Sequence, residues 1–342
     1  MQRSKIRLVP GTRLVRFAMV LASFTFCATF SARTHAALVI TPTFTANFNA
    51  NFGANAAAAQ AAWIAAANIM TTNFNDNIHV NINVNAVAGT GVFGQSSTFL
   101  NSFPYATLRA AVVADAKTAD DAISVGAGGS VTVADPIAAN PHTWWVSTAQ
   151  AKALGLVADN LSNDGTTTFG AGNPFSFTEP PAAGTFDFRG VAAHEITEVM
   201  ARLGLSGGTI GANVNSYSLI DDFAYTGPGV KSPNKNDNGG AGQNFSINNG
   251  TTLLKVWNNA VLNNLDTRDW APPGAGQGGD GSPDAFNQFS SSGVVNNVTN
   301  VDLRLIDVIG YDRVAVPEPS TIVLGALGLL GLIGYARRRR GT

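Results

Sequence analysis

Val191-Ala192-Ala193-His194-Glu195-Ile196-Thr197-Glu198-Val199-Met200-Ala201-Arg202-Leu203-Gly204 is the stretch from which the rest of the chain is read. Its apolar positions fit a helix, and residues four apart on a helix share a face. His194 and Glu198 are so spaced, and an imidazole with a carboxylate can hold one metal ion between them. Glu195 leaves the helix about 100° from His194, beside such an ion rather than on it. A carboxylate there is suited to take a proton from a metal-activated water. The plain alternative is an amphipathic surface helix with Val191, Ala192, Val199 and Leu203 facing the core. Glu195, Glu198 and Arg202 would then lie in solvent, with Glu198 and Arg202 paired at i, i+4. Two features weigh towards the metal. The chain has only four His, and this one sits in an otherwise apolar helix start. Residues 184–190 read as a strand end and tight turn leading into the helix, and Gly204 as its C-cap.

The first 36 residues have the form of a secretory signal. Arg3, Lys5, Arg7, Arg13, Arg16 and Arg33 flank an apolar stretch from Phe17 to Phe30, with no acidic residue. Thr34-His35-Ala36 ends in the small residue that signal peptidase requires, which predicts cleavage before Ala37. The one cysteine, Cys27, leaves with this segment, so no disulfide is expected in the mature chain.

At the other end, Val316-Pro317-Glu318-Pro319-Ser320 precedes an apolar run from Ile322 to Ala336 and then Arg337 to Arg340. This tail, residues 316–342, resembles the PEP-CTERM sorting signal of Gram-negative exported proteins. The resemblance implies a C-terminal hydrophobic helix as the only membrane contact. It further implies an exosortase-type enzyme as a processing partner and release to the cell surface or extracellular matrix. The run of 15 residues is shorter than the roughly 20 that span a bilayer comfortably, and the arginines would hold its end in the cytoplasm. A permanent single-pass anchor is the alternative.

Removing both ends takes six basic residues with the leader and four with the tail, leaving a net charge near −11. That excess of acid argues against nucleic acid as a partner and is compatible with divalent cations. The body, 37–313, reads as one domain. An Ala-rich helix is expected over 54–68 and a half-buried strand over Ile78–Val84, with Ile78, Val80, Ile82 and Val84 inward and His79 on the polar face. Further helices are expected over 108–117, 118–123, 148–156 and 300–312, with Asp302 as a cap or first-turn acid. His142 reads as a loop residue. The Gly-, Asn- and Pro-rich segments 227–250 and 271–283 read as loops, and the Asp and Asn residues of 234–244 and Asp280 to Asp284 raise Ca²⁺ as a ligand, though no spacing matches a known calcium loop.

A catalytic zinc site normally has three protein ligands. The nearest acids after the helix are Asp221 and Asp222, within Ile220-Asp-Asp-Phe-Ala-Tyr225; Tyr225 lies four residues beyond Asp221 and would be placed to donate to a developing oxyanion. A helix start or loop hydrogen bond is the competing role for either Asp.

His194 to Glu198 match the zinc-peptidase pattern His-Glu-x-x-His except for Glu at the fifth position. Taken with the Ala-rich helix, the IHVNINV strand, AKALGL, IDDFAY and the closing DLRLIDVIGYD, the chain resembles a zincin-like family of PEP-CTERM metalloproteases. In that pattern Glu at the fifth position is usual, Gly is usual where Ala201 stands, and Asp-Leu-Phe-Arg-Tyr is usual where this chain has Asp221 to Tyr225, which favours Asp221. The resemblance implies an α+β zincin-like metallopeptidase domain with a mixed sheet and an active-site helix. Zn²⁺, or another divalent cation, would be held by His194, Glu198 and Asp221. Glu195 would be the general base, Tyr225 or Arg202 would assist, and the substrate would be a peptide or protein. The rival expectation is a non-catalytic surface or biofilm-matrix protein stabilised by the same metal. For the tail, mass spectrometry of protein exported from a host with an exosortase is expected to show a C-terminus near residues 316–321. Recovery of Arg337–Arg340 on the exported protein would indicate a permanent anchor.

Overall fold

The computed structural model describes residues 37–273, 276–314, 328 and 330. The expected leader lies outside the described residues, as does the hydrophobic helix of the tail apart from residues 328 and 330. Among the described residues no helix is long and apolar enough to cross a membrane.

Strand β1 (Val39–Phe44) is followed by helices α1 (Ala46–Phe52) and α2 (Ala56–Asn73), then β2 (His79–Val87), β3 (Gly94–Thr98) and β4 (Leu100–Phe103). Helices α3 (Tyr105–Asp115) and α4 (Ala119–Val125) precede β5 (Thr143–Ser147), α5 (Thr148–Ala153), β6 (Asn163–Gly170), β7 (Phe175–Ser176) and β8 (Phe186–Asp187). Helix α6 (Phe188–Val199) carries the motif. It leads to β9 (Gly208–Ile210), β10 (Asn213–Ser218), β11 (Ala224–Gly227), β12 (Val230–Lys231), β13 (Asn244–Phe245) and β14 (Lys255–Val256), then α7 (Ala260–Asn263) and α8 (Asn300–Val308).

The result is a mixed α+β architecture. One sheet has the order β1-β2-β6-β3, a second β4-β5-β10-β9 and a third β12-β11-β13-β14. In the first sheet β1, β2 and β6 are parallel, and β3 closes one edge antiparallel to β6. The alternation in β2 is as expected: Ile78 just before it, and Val80, Ile82 and Val84 within it, are buried. His79 lies on the other face, bonded to Asp159 at 2.7 Å. The Ala-rich stretch forms α2, whose buried Ala59, Ala62, Ala66 and Ala67 bring its backbone close to its neighbours, α6 among them. Trp63 is fully buried in this layer, its indole N–H donating to Thr167 at 3.2 Å.

Helix α6 is set by three local devices. Asp187 caps its start, accepting from Arg189 N at 3.0 Å. Phe188 anchors the first turn among Phe52, Phe169, Phe175 and Phe177, with ring centroids 4.8 to 5.7 Å away. Gly165 on β6 lets the last turn lie close to the sheet, because a Cβ there would collide with Val199. Burial of Phe188 alone contributes about 2–3 kcal/mol.

Some expectations change. Segment 227–250 is not all loop: it supplies β12 and β13, whose short pairings satisfy backbone groups that Asn- and Gly-rich sequence leaves without side-chain partners. Neither candidate calcium segment gathers three acidic ligands among the described residues. Asp280 and Asp284 are instead paired with Lys255, at 3.2 and 2.7 Å, and Asp237 accepts from Asn234 N. Helix α8 stops at Val308, and Asp302 closes a capping box with Thr299.

Carboxylates crowd where the segment after α8 meets the end of α2. Burial, then the charge of neighbouring Asp312, pushes Asp115 from 3.8 up to about 7. Asp76 and Asp307 are also raised to about 7, first by burial. A folded-state value above the unfolded one means the ionised form opposes folding. The associated stability is complete below about pH 4 and is lost as pH rises through about 7. Asp115→Asn is therefore expected to raise stability at pH 8 by about 1 kcal/mol, with little gain at pH 4. Urea melts at the two pH values measure this, and an equal effect at both would contradict it.

Candidate metal centre

Helix α6 does not present its acids to solvent. Glu195, Glu198 and Arg202 are all buried, so the surface-helix alternative does not describe this segment. His194 Nε2 lies 3.4 Å from Glu198 Oε1, one helical turn away. The third acid beside them is Asp269, with Oδ1 3.5 Å from His194 Nε2. One ligand atom from each of these three residues falls within 4.8 Å of the others, a spacing that fits a single divalent ion.

The surroundings also fit an ion. His194 Nδ1 is 2.8 Å from the carbonyl of Ala285. That carbonyl can only accept, so Nδ1 carries the proton and Nε2 is aimed at the two carboxylates. Glu198 Oε2 accepts from Ser96 of β3 at 2.7 Å. Asp269 Oδ2 and Glu195 Oε2 are buried without a partner. Two unsatisfied carboxylate oxygens in one place are costly unless a further group binds there.

Without an ion the site's charges act on each other. Burial and Arg202 oppose a charged His194, but Asp269 and Glu198 outweigh them and raise it to about 9. Burial likewise opposes ionisation of Glu198, yet its hydrogen bond and ion pair with His194 lower it to about 2. Burial, then the charge of Glu198, drives Glu195 well above its ordinary value.

His194, Glu195 and Glu198 form the floor of a cleft of about 640 Å³, walled by Phe93, Phe186, Val191, Leu265 and Phe289. Gly94 of β3 is part of this wall. A Cβ on Gly94 would overlap Glu195 Oε1, so glycine is what admits the carboxylate against the strand.

Asp269 reaches the site through a short ladder of extended chain. Trp270 N donates to Phe286 O at 2.9 Å, and Asn258 N donates to Asp269 O at 2.8 Å. The carbonyl that orients His194 belongs to Ala285, next to Phe286, so one ladder positions both.

Asp221, the expected third ligand, is not brought to His194. It is fully buried as the capping acid of the 3₁₀ turn Leu219–Phe223. Its oxygens accept from Ser206 N at 2.9 Å, Ser218 N at 2.9 Å, Ser206 Oγ at 2.7 Å and Arg268 Nε at 2.8 Å. No lone pair is left for a metal. The bond to Arg268 makes Asp221 a brace for the residue next to Asp269. Asp222 is also buried, between Lys231 and Tyr105. Tyr225 is buried beneath Lys231 and does not line the cleft, so it faces no substrate there.

The helix ends earlier than Gly204. Val199 is its last residue and Met200 its C-cap. Ala201 N then bonds Glu198 O at 2.9 Å and Arg202 N bonds Thr197 O at 2.9 Å. This pair of bonds is the Schellman arrangement, which needs a left-handed residue after the cap. Ala201 supplies it at φ 92°, at the position where the resembled pattern carries Gly.

The C-terminal segment, residues 315–340, matches the model of the PEP-CTERM protein-sorting motif. No curated protein and no solved structure matches the chain. The motif implies export and processing by an exosortase-type enzyme; it leaves the chemistry of the body to the residues themselves.

Ala201→Gly is expected to stabilise the protein by about 1 kcal/mol, because glycine adopts this backbone conformation without the Cβ penalty. Thermal or denaturant unfolding measures it. A loss of stability would mean that the Ala201 methyl, which is buried, contributes more by packing than its backbone costs.

Proposed function

We propose that the protein is an exported, metal-dependent peptidase on a zincin-like scaffold, with Zn²⁺ held by His194, Glu198 and Asp269. The observation that carries this reading is Glu195: a buried carboxylate with one unpartnered oxygen, beside the His194, Glu198 and Asp269 cluster and lining a cleft with His194 and Glu198. A purely structural metal site has no use for it. When bound, the ion would polarise the scissile carbonyl and acidify a water molecule. Glu195 would take the proton from that water and pass it to the departing amine. Ser96 holds Glu198 in place, and Ala285 holds the imidazole.

A peptide is the substrate class because of β3. It is the edge of its sheet, and its Gly94 and Ser96 border the cleft. An unpaired edge offers backbone donors and acceptors to an extended chain. The apolar walls suit a bulky aliphatic or aromatic side chain.

One His with two carboxylates is a harder ligand set than one with two His, so a divalent ion other than zinc is compatible with it. The second reading, a non-catalytic surface or matrix protein that uses the metal for structure, draws on the sorting motif, which accommodates either.

The exported protein is expected to bind about one zinc ion per chain. His194→Ala and Asp269→Asn should each lose the ion, whereas Asp221→Ala should retain it in whatever protein folds. Metal analysis and calorimetric titration are the checks, and zinc loss confined to the Asp221 variant would overturn the ligand set. Glu195→Gln should keep the metal and the melting temperature while lowering peptide hydrolysis by roughly 10²-fold or more. Wild-type protein with bound zinc and no cleavage of a broad peptide library would favour the structural reading.

A further inference from the structure

Arg202 is not explained by ligation or catalysis. Its side chain is buried to 1% exposure within a cluster whose other members are two acids and a histidine. Each of its three nitrogens donates. Nε donates to Thr197 Oγ1 at 3.1 Å, Nη1 to Asp269 Oδ1, and Nη2 to His194 O at 3.2 Å and Glu198 Oε1 at 3.4 Å. The face of the guanidinium lies 4.5 Å from the centre of the Phe286 ring. A planar cation so held has almost no rotamer freedom.

The two acceptor oxygens, Glu198 Oε1 and Asp269 Oδ1, are the same two that approach His194 Nε2. Two carboxylates so close in a dry interior repel each other and lose their hydration. In many metal sites the ion supplies the missing charge, and the unmetallated chain does not fold. Here the chain carries its own cation, delivered by the left-handed turn at Ala201.

We propose that Arg202 is the fixed countercharge of this centre, assembling Glu198 and Asp269 beside His194 before any metal arrives, so that the ion is acquired by an already folded protein. This inference rests on the metal-centre reading above, with Arg202 as a positioning residue rather than a ligand. The guanidinium holds one oxygen of each carboxylate. Asp269 Oδ2, which has no partner, remains available to an ion.

The test compares the thermal unfolding of the exported wild-type chain, Arg202→Met, Arg202→Lys and the double variant Arg202→Met/Asp269→Asn, each in excess zinc and in excess EDTA. The wild-type chain should retain a cooperative transition in EDTA. Arg202→Met should lose about 10 °C or more in EDTA relative to wild type and regain most of that loss in zinc, since the ion replaces the missing charge. Arg202→Lys, which keeps the charge without the fork, should fall between. The double variant should recover most of the loss in EDTA, because the acid that needed neutralising is gone.

A deficit of Arg202→Met that is equal in zinc and EDTA would mean that Arg202 acts by packing alone, and the inference falls. A wild-type chain that unfolds in EDTA also overturns it. If calorimetry shows that the wild-type chain takes up no zinc, the metal-centre reading falls instead. The countercharge assignment is then decided by the EDTA arm alone: recovery in the double variant supports it, and no recovery removes it.

Discussion

Charge neutralised inside the protein is the constraint on which much of this fold rests. Outside the leader and the tail the chain has eleven basic residues, and five of them pair with buried acids. Lys152 meets Asp164, Lys231 meets Asp222, Lys255 meets Asp284, Arg268 meets Asp221, and Arg202 meets Asp269 and Glu198. Such pairs add little net stability over apolar residues of the same shape, but losing one partner is costly. They therefore act as selectors of arrangement. Arg268 ties the 3₁₀ turn to the segment carrying Asp269, and Lys255 ties β14 to the segment carrying Ala285. The cluster of His194, Glu198 and Asp269 is framed by these ties.

The same constraint explains what the sequence disclosed and what it concealed. Local periodicity was legible. The alternation in β2, the Ala-rich α2, the helices α3 to α5 and the capping acid Asp302 follow from side-chain spacing over a few residues. His194, Glu195 and Glu198 were legible for the same reason, since one helix places them. Asp269 was not, because it arrives 71 residues after Glu198 on a ladder made by backbone bonds, which leave no periodic trace. One signal was present. Asp266-Thr267-Arg268-Asp269-Trp270 is a knot of charge in a chain with 13% charged residues, and a Trp beside an acid is seldom a surface loop. Proximity in sequence favoured Asp221, whose actual partners, Ser206 and Arg268, are equally non-local.

The end of helix α6 illustrates the difference between a residue's type and its conformation. Gly204 had the right identity for a C-cap, yet the chain turns at Ala201, where a side chain is tolerated at positive φ. The turn leaves Arg202 bonded back to Thr197, His194 O and Glu198 of the same helix, with Ala201 outside the right-handed backbone that alanine prefers.

The last bonds of the body constrain how the protein meets its processing machinery. Val314 N is bonded to Asn73 O at 2.8 Å, and Phe74 forms a bridge with Arg313, so the chain is stitched to the end of α2 up to the edge of the sorting motif. Only Ala315 and Val316 separate this seam from Pro317, a reach of about 10 Å even when fully extended. There is no slack spacer. An enzyme that reads Pro317 to Pro319 therefore works within that reach of the folded body, at the seam where Asn73 O holds Val314 N and Lys117 meets Asp312.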